Sequence, residues 1–378
     1  MNNKILIIAG EASGDLHGAG LINELRNINP SLEFFGIGGD RMISAGLIAQ
    51  YHIKKMAFLG FIEVIRHLPF IKKVQRDLIE KVKKENIDTV ILIDYPGFNL
   101  DIAKKLKSLG KKIFYYISPQ VWAWGKGRIK KIKKLVDKMI VVFPFEEEFY
   151  QNSGVEVTYV GHPLIEQIDN YNYLSKDELF DKFGLDKEKE ILLLLPGSRK
   201  HEIKKIFPES IKAALKLRND FNFQIVVACA ENIDTNIFNM FPSDGNYKII
   251  QGFTYDLYKH SYLGIIKSGT STLEAGLFQL PFIVVYSTNA LTYQLGKRLV
   301  RINNIAMANI ILEENVVDEL IQEEMNAKNI YEKCKVLLTD KFRYNFIKNK
   351  LGQIKTKLGG PGASRNAAKI IFTAMNET

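Results

Sequence analysis

Short apolar runs, rich in β-branched residues and closed by Gly, Pro or Asp, recur along this chain with amphipathic stretches between them. KILIIAG, LEFFGIGG, DTVILIDYPG, KIFYYISP, KMIVVFP and VTYVGHP form a first series, separated by helical patterns such as Leu16–Asn27 and Leu100–Leu109. After a polar tract, IDNYNYLSKDELFDKFGLDKEKE, the series restarts as ILLLLPGSR, FQIVVACA, YKIIQG, LGIIKSGTS and PFIVVYS. Runs without polar alternation suit parallel strands that helices cover on both faces. Two such series predict an α/β protein of two doubly wound, Rossmann-like domains, and 378 residues exceed what one core usually fills. The expected bounds are residues 1–165 and 186–358, the second carrying a helical tail from about Val316. Residues 359–378, GGPGASRNAAKIIFTAMNET, read as a Gly/Pro hinge and a final helix placed to pack back on the first domain.

Charge and cysteine content narrow the partners. A net charge of +10 points to anionic partners in general without naming one. Cys229 and Cys334 fit no disulfide or metal framework, which suits a reducing cytosol. The start, MNNKILIIAGEASGD, turns polar too soon for a signal peptide, and no apolar run is long enough to span a bilayer, so any membrane contact is expected to be peripheral.

In doubly wound folds ligands bind beyond the carboxyl ends of the strands, so the residues that follow each run carry the information. AGEASGDLHGAG lacks the GxGxxG spacing, and Glu11 and Asp15 would repel a pyrophosphate. Ser13 or Asp15 could cap the next helix, or the acidic pair could face sugar hydroxyls or a proton in flight. In LIDYPGFNL, Asp94 either orders the loop or is a base whose pKa desolvation raises. ILLLLPGSRKHEI opens a buried strand into Pro196-Gly197-Ser198-Arg199, where backbone N–H groups, the Ser198 hydroxyl and the Arg199 guanidinium suit a phosphate; the alternative is an ordinary turn. His201-Glu202 begins like a zinc helix, but position 205 is Lys. IIKSGTSTLEAG repeats the strand-turn-helix design through Gly269, Thr270 and Ser271; Glu274 either closes a capping box with Ser271 or accepts from a ribose diol. There is no GxxxxGK[ST] loop, no GxSxG elbow and no D-x-D pair, so no metal is expected, and helix N-termini with Arg199 must neutralise any diphosphate.

ISPQVWAWGKGRIKKIKK holds both tryptophans, Trp122 and Trp124, next to a stretch in which six of the nine residues from Lys126 to Lys134 are basic. Ile129, Ile132, Leu135 and Val136 fall at helical spacing and are expected to pack on the sheet, leaving the lysines solvated. MAFLGFIEVIRHLPFIKKVQRDL (56–78) has more large apolar residues than one packed face needs, Phe61 and Phe70 among them, and basic flanks that suit a membrane surface.

GEASGD, LGFIEV, DYPGFN, YYISPQVWAWGKGR, PFE, YVGHP, LLPGSR, SGTSTLEAGL and KRLV, in this order over nearly the whole chain, resemble the lipid-A-disaccharide synthase family. The resemblance implies a GT-B glycosyltransferase, two Rossmann-like domains facing a central cleft with C-terminal helices. It implies transfer of 2,3-diacylglucosamine from UDP to the 6-hydroxyl of 2,3-diacylglucosamine 1-phosphate, with inversion to a β-1,6 disaccharide. It places Asp94 as the catalytic aspartate, Arg199 near the phosphates and Glu274 facing the ribose. Further substrate contacts are expected from Gly197, Ser198, Gly269, Thr270, Ser271, Glu11, Ser13, Gln120 and Trp124. The family's D-x-P-D-F reads DYPGF here, so Asp94 would act alone, and its LPN reads MAN, leaving Asn309 as a donor contact. No cofactor is expected and no nucleic acid; a homodimer and a peripheral place on the cytoplasmic face of the inner membrane are. Two other classes remain open at this level: a UDP-sugar epimerase of the same architecture and a non-catalytic nucleotide-sugar binder.

Overall fold

The computed structural model describes residues 3–56, 67–122, 126–241, 245–289, 293 and 304–377. The chain divides into two compact units, Met1–Glu166 with Leu358–Thr378, and Gln167–Lys357.

The first unit is built on seven parallel strands: β1 (Lys4–Ala9), β2 (Glu33–Gly38), β3 (Leu47–His52), β4 (Thr89–Ile93), β5 (Lys112–Tyr116), β6 (Lys138–Val141) and β7 (Val157–Tyr159). Their order is β3-β2-β1-β4-β5-β6-β7, so the winding reverses between β1 and β4, where such folds open a crevice for ligands. Leu6, Ile8, Val90, Leu92, Ile113 and Tyr115 are fully buried, the consequence of helices on both faces of the sheet.

The final helix, Ala363–Asn376, belongs to this unit and packs on the helix Ala12–Ile28. Its Ala363, Ala367, Ala368 and Ile371 are fully buried. Glu166 fixes its entry, accepting the N–H groups of Gly362 at 2.7 Å and Ser364 at 3.1 Å. These are the free donors of a helix N-terminus, which a carboxylate satisfies well.

The second unit has six parallel strands, β8 (Glu190–Leu195), β9 (Phe223–Cys229), β10 (Tyr247–Gln251), β11 (Leu263–Lys267), β12 (Phe282–Tyr286) and β13 (Glu319–Ile321), in the order β10-β9-β8-β11-β12-β13. Its reversal point lies between β8 and β11. The polar tract before β8 is folded into this unit. Ser175 and Glu178 form a reciprocal capping box at the start of the helix Lys176–Phe183, which ends on Gly184 in the left-handed region. Asp256 holds the tract down, accepting from the Tyr171 hydroxyl at 2.6 Å and the Leu174 N–H at 2.7 Å.

The basic run folds as read: Ile132 and Val136 are buried, Ile129 and Leu135 pack on the core, and Lys130, Lys131, Lys133 and Lys134 are exposed. The apolar stretch 56–78 divides. Residues 57–66, Phe61 included, lie outside the described residues. Phe70, half-buried, meets Tyr51 edge-on at 6.0 Å and packs with Ile71 against the core.

Candidate active site

At the carboxyl end of β4 the backbone is held in an uncommon form. Asp94 and the next residue, Tyr95, have φ of 42° and 49°, and Ile117, beyond neighbouring β5, has φ of 61°. Left-handed residues other than glycine are disfavoured, and a β-branched one especially so, by about 1–3 kcal/mol each. Hydrogen bonds over-determine the turn. The Asp94 N–H lies 3.3 Å from both the Tyr116 and Ile117 carbonyls. Its own carbonyl accepts from Asn99 Nδ2 at 2.7 Å and from the Tyr115 hydroxyl at 2.5 Å. Strain held in this way at a strand end is a mark of a functional residue.

The Asp94 carboxyl is pushed up to about 6, first by burial and then by the negative charge of Glu11, against a smaller pull from the Tyr95 N–H. Glu11 caps the helix Ala12–Ile28 at the end of β1, the strand beside β4, and is exposed together with Ser13. Gly10 lets the two loops meet: a Cβ there would lie 2.3 Å from the Tyr95 ring. Asp15, the other member of the acidic pair, turns away from this site. It accepts the N–H groups of Gly39 at 2.6 Å, Arg41 at 3.1 Å and Met42 at 3.1 Å, and so caps the helix Asp40–Ser44. His17 is buried, edge-on to His162 at 6.3 Å, with its pKa lowered to about 4 by desolvation.

Ser118, Pro119 and Gln120 follow β5, with Gln120 exposed and Ser118 buried. Glu146, on the helix Pro144–Gln151, anchors this loop. Its Oε1 accepts from the Ser118 hydroxyl at 2.5 Å and the Trp122 indole N–H at 3.1 Å, and its Oε2 from the Phe143 N–H at 3.2 Å. Burial raises its pKa to about 7 although every one of these donors pulls the other way. Trp122 also packs edge-on to Phe145 at 5.0 Å. Trp124 lies outside the described residues.

The second unit carries a complementary constellation at the ends of β8 and β11, which pair directly. Gly197 has φ of 123°, and a Cβ there would press within 2.6 Å of Glu202 Oε2, so only glycine fits the turn. Ser198 is exposed and Arg199 partly so, at the start of the helix Lys200–Asp220. Buried Glu202 sits beneath: its Oε2 accepts the Ser198 N–H at 3.2 Å, and its Oε1 lies 3.6 Å from Arg199 Nη1 and 2.9 Å from Lys267 Nζ. After β11, Gly269 caps the helix Thr270–Leu277, with Thr270 exposed and Ser271 partly so.

Two readings of this unit are corrected. Ser271 and Glu274 form no capping box, because the helix starts one residue after Gly269 and makes no side-chain cap there. Glu274 instead lies 3.3 Å from the Tyr258 hydroxyl, and burial raises its pKa to about 7. Asn309 is not a donor contact through its side chain. That side chain is fully buried, giving its amide hydrogens to Val317 O and Glu319 Oε1, both at 2.9 Å, and accepting from Val316 N–H and Val317 N–H at 2.9 and 3.0 Å. Its hydrogen-bonding capacity is full.

Glu146, Glu202 and Lys267 carry no local mark of site residues in the sequence. Each lay in a stretch already singled out (PFE, HE and the lysine before SGTS), but their pairing depends on contacts distant along the chain.

Comparison with known proteins places this geometry in context. A family model described as Lipid-A-disaccharide synthetase matches residues 5–374. The lipid-A-disaccharide synthase of Geobacter sulfurreducens is 40% identical over 379 residues, covering 100% of this chain and 98% of that protein. The lipid-A-disaccharide synthase of Coxiella burnetii strain CbuG_Q212 is 38% identical over 371 residues, with 98% of each covered. Among solved structures, UDP-GlcNAc 2-epimerase from Neisseria meningitidis, bound to UDP-GlcNAc, matches with a TM-score of 0.69 at 14% identity, covering 99% of this chain and 100% of that one. The calicheamicin glycosyltransferase CalG4 matches with a TM-score of 0.61 at 13% identity, covering 98% of each. At such identities the solved structures speak to the fold alone.

Proposed function

The chain belongs to the lipid-A-disaccharide synthase family, and from that membership we propose how its residues divide the reaction. It is a glycosyltransferase of lipid A disaccharide synthesis. The substrates we assign are UDP-2,3-diacylglucosamine as donor and 2,3-diacylglucosamine 1-phosphate as acceptor. An α-linked donor and a β-1,6 product require a single displacement, with a base on the acceptor hydroxyl and positive charge on the departing diphosphate.

Asp94 is the base. The observation that carries this is its carboxyl, raised to about 6 on a strained and hydrogen-bonded backbone at the β1/β4 reversal point. Such a group is ionised at neutral pH yet basic enough to take the proton of the 6-hydroxyl as the C–O bond forms. Glu11 supports it by raising that pKa, and Ser13, Gln120 and the loop held by Glu146 line the acceptor. Arg199, the N–H groups of Gly197, Gly269, Thr270 and Ser271, and the hydroxyls of Ser198, Thr270 and Ser271 take the diphosphate, and Glu274 the ribose diol. UDP leaves as a dianion or trianion whose charge these groups offset.

The test is UDP release with and without lipid acceptor. Acceptor-dependent release supports the transferase; turnover of the UDP-sugar alone, without acceptor, would favour an epimerase, whose fold the solved structures share.

The membrane side of the reading rests on charge. Lys72, Lys73 and Arg76 are exposed on the helix Leu68–Lys84, as are the lysines of Ile129–Leu135, and acylated substrates live in a bilayer. No described helix is long and apolar enough to cross a membrane. Sedimentation with anionic vesicles that weakens with salt supports a peripheral enzyme; no sedimentation at low salt sinks this part.

A further inference from the structure

Lys267 is the last residue of β11 and lies beside the turn that ends β8, since Leu195 and Ile266 are register partners. Its Nζ is 2.9 Å from Glu202 Oε1, the oxygen that also lies 3.6 Å from Arg199 Nη1. Two cations thus face one buried carboxylate. Lys267 makes the closer contact, and a lysine held mostly out of water is costly to keep. Both cations keep an open side: the side chains are 18% and 37% exposed for Lys267 and Arg199, against 8% for Glu202. Both cations lie at the reversal point of this sheet, flanked by the turns at Gly197 and Gly269.

We propose that Lys267 is a second cation of the donor site, contacting the diphosphate together with Arg199, and that Glu202 is a positioning residue holding both at the two strand ends. This rests on the reading that the diphosphate lies at the Pro196–Arg199 turn. Two cations match the charge that develops on the leaving diphosphate better than one.

Calorimetry with UDP, and ligand-observed NMR with uridine, test it on five variants. Lys267→Ala is expected to weaken UDP by about tenfold or more, the scale of a lost charged hydrogen bond, and to leave uridine unchanged. Lys267→Arg should restore most of the affinity. The double variant Lys267→Ala/Glu202→Gln removes both charges and guards against unfolding from an unpaired buried carboxylate; it should keep the UDP defect. Unchanged UDP affinity in the single or the double variant, while Arg199→Ala and Glu274→Ala lose it, overturns the role of Lys267 and leaves the donor site standing. An equal loss of uridine also overturns it, as a structural effect. If Arg199→Ala and Glu274→Ala bind UDP normally as well, the placement of the donor falls, and this proposal with it.

Discussion

Trp122 donates its indole N–H to Glu146 Oε1 at 3.1 Å, and the Ser118 hydroxyl shares that oxygen at 2.5 Å. One buried carboxylate therefore fixes both ends of the loop after β5, and this explains the placement of Trp122 better than its basic neighbours do. Removing the acceptor leaves three donors in poor surroundings. Glu146→Ala should destabilise the chain by about 1–3 kcal/mol, read by urea denaturation.

The same group has a pH signature. Its folded pKa is about 7 against an ordinary 4.5, so between these values the folded chain keeps a proton that the unfolded chain releases. Its contribution to stability is full below the lower value and lost as pH rises through the upper one. Glu146→Gln is neutral at every pH and should remove that part of the slope. Equal stability losses for wild type and variant between about pH 5 and pH 8 would show that Glu146 does not titrate there.

Asp94→Asn should lower kcat by about two to four orders of magnitude while UDP affinity stays intact. The base must be ionised, so with a carboxyl near 6 the wild-type kcat at saturating donor should fall as pH drops through that value, by about tenfold per unit below it. A profile flat to about pH 5 moves the base elsewhere. Glu11 would be next, since Asp15 and His17 are committed to the fold.

Glu274, also raised to about 7 by burial, makes donor binding pH-dependent in the opposite sense to a cation. A ribose diol donates two hydrogen bonds best to the ionised carboxylate, so UDP affinity should rise as pH rises through 7 and then level off. Glu274→Gln should flatten this curve and weaken binding at the plateau by about 1–3 kcal/mol. An unchanged curve in the variant assigns the titration to another group.

What the sequence made legible follows from how local each feature is. Strand runs and the turns after them are set by neighbouring residues, so the two sheets and the positions of Asp94 and Arg199 could be read directly. The capping box of Ser175 and Glu178 was equally local but sat in a tract whose polarity suggested a break. Partnerships between strand ends were not legible. Glu146 reaches back to Ser118, and Lys267 meets Glu202, only because parallel pairing brings distant turns side by side. The apparent S-x-x-E box at Ser271 failed because Gly269 starts the helix earlier.

Asn309 was misjudged for a related reason: an asparagine near a donor site looks like a ligand until its four hydrogen bonds are counted. They join the helix Met307–Leu312 to the segment entering β13, and Glu319 extends the net by accepting the N–H groups of Ile305 at 2.9 Å and Ala306 at 3.0 Å. Asn309→Ala leaves the N–H groups of Val316 and Val317 buried and unpaired, so it should lower stability by about 2–4 kcal/mol. Asn309→Asp should not rescue, because it keeps the oxygen that accepts both N–H groups but sets a carboxylate against Glu319, where the amide now donates at 2.9 Å. Thermal unfolding and UDP calorimetry on the folded fraction separate the two roles. A structural role gives a lower melting temperature and UDP affinity within about twofold of wild type. Loss of UDP affinity at an unchanged melting temperature would return Asn309 to the donor site.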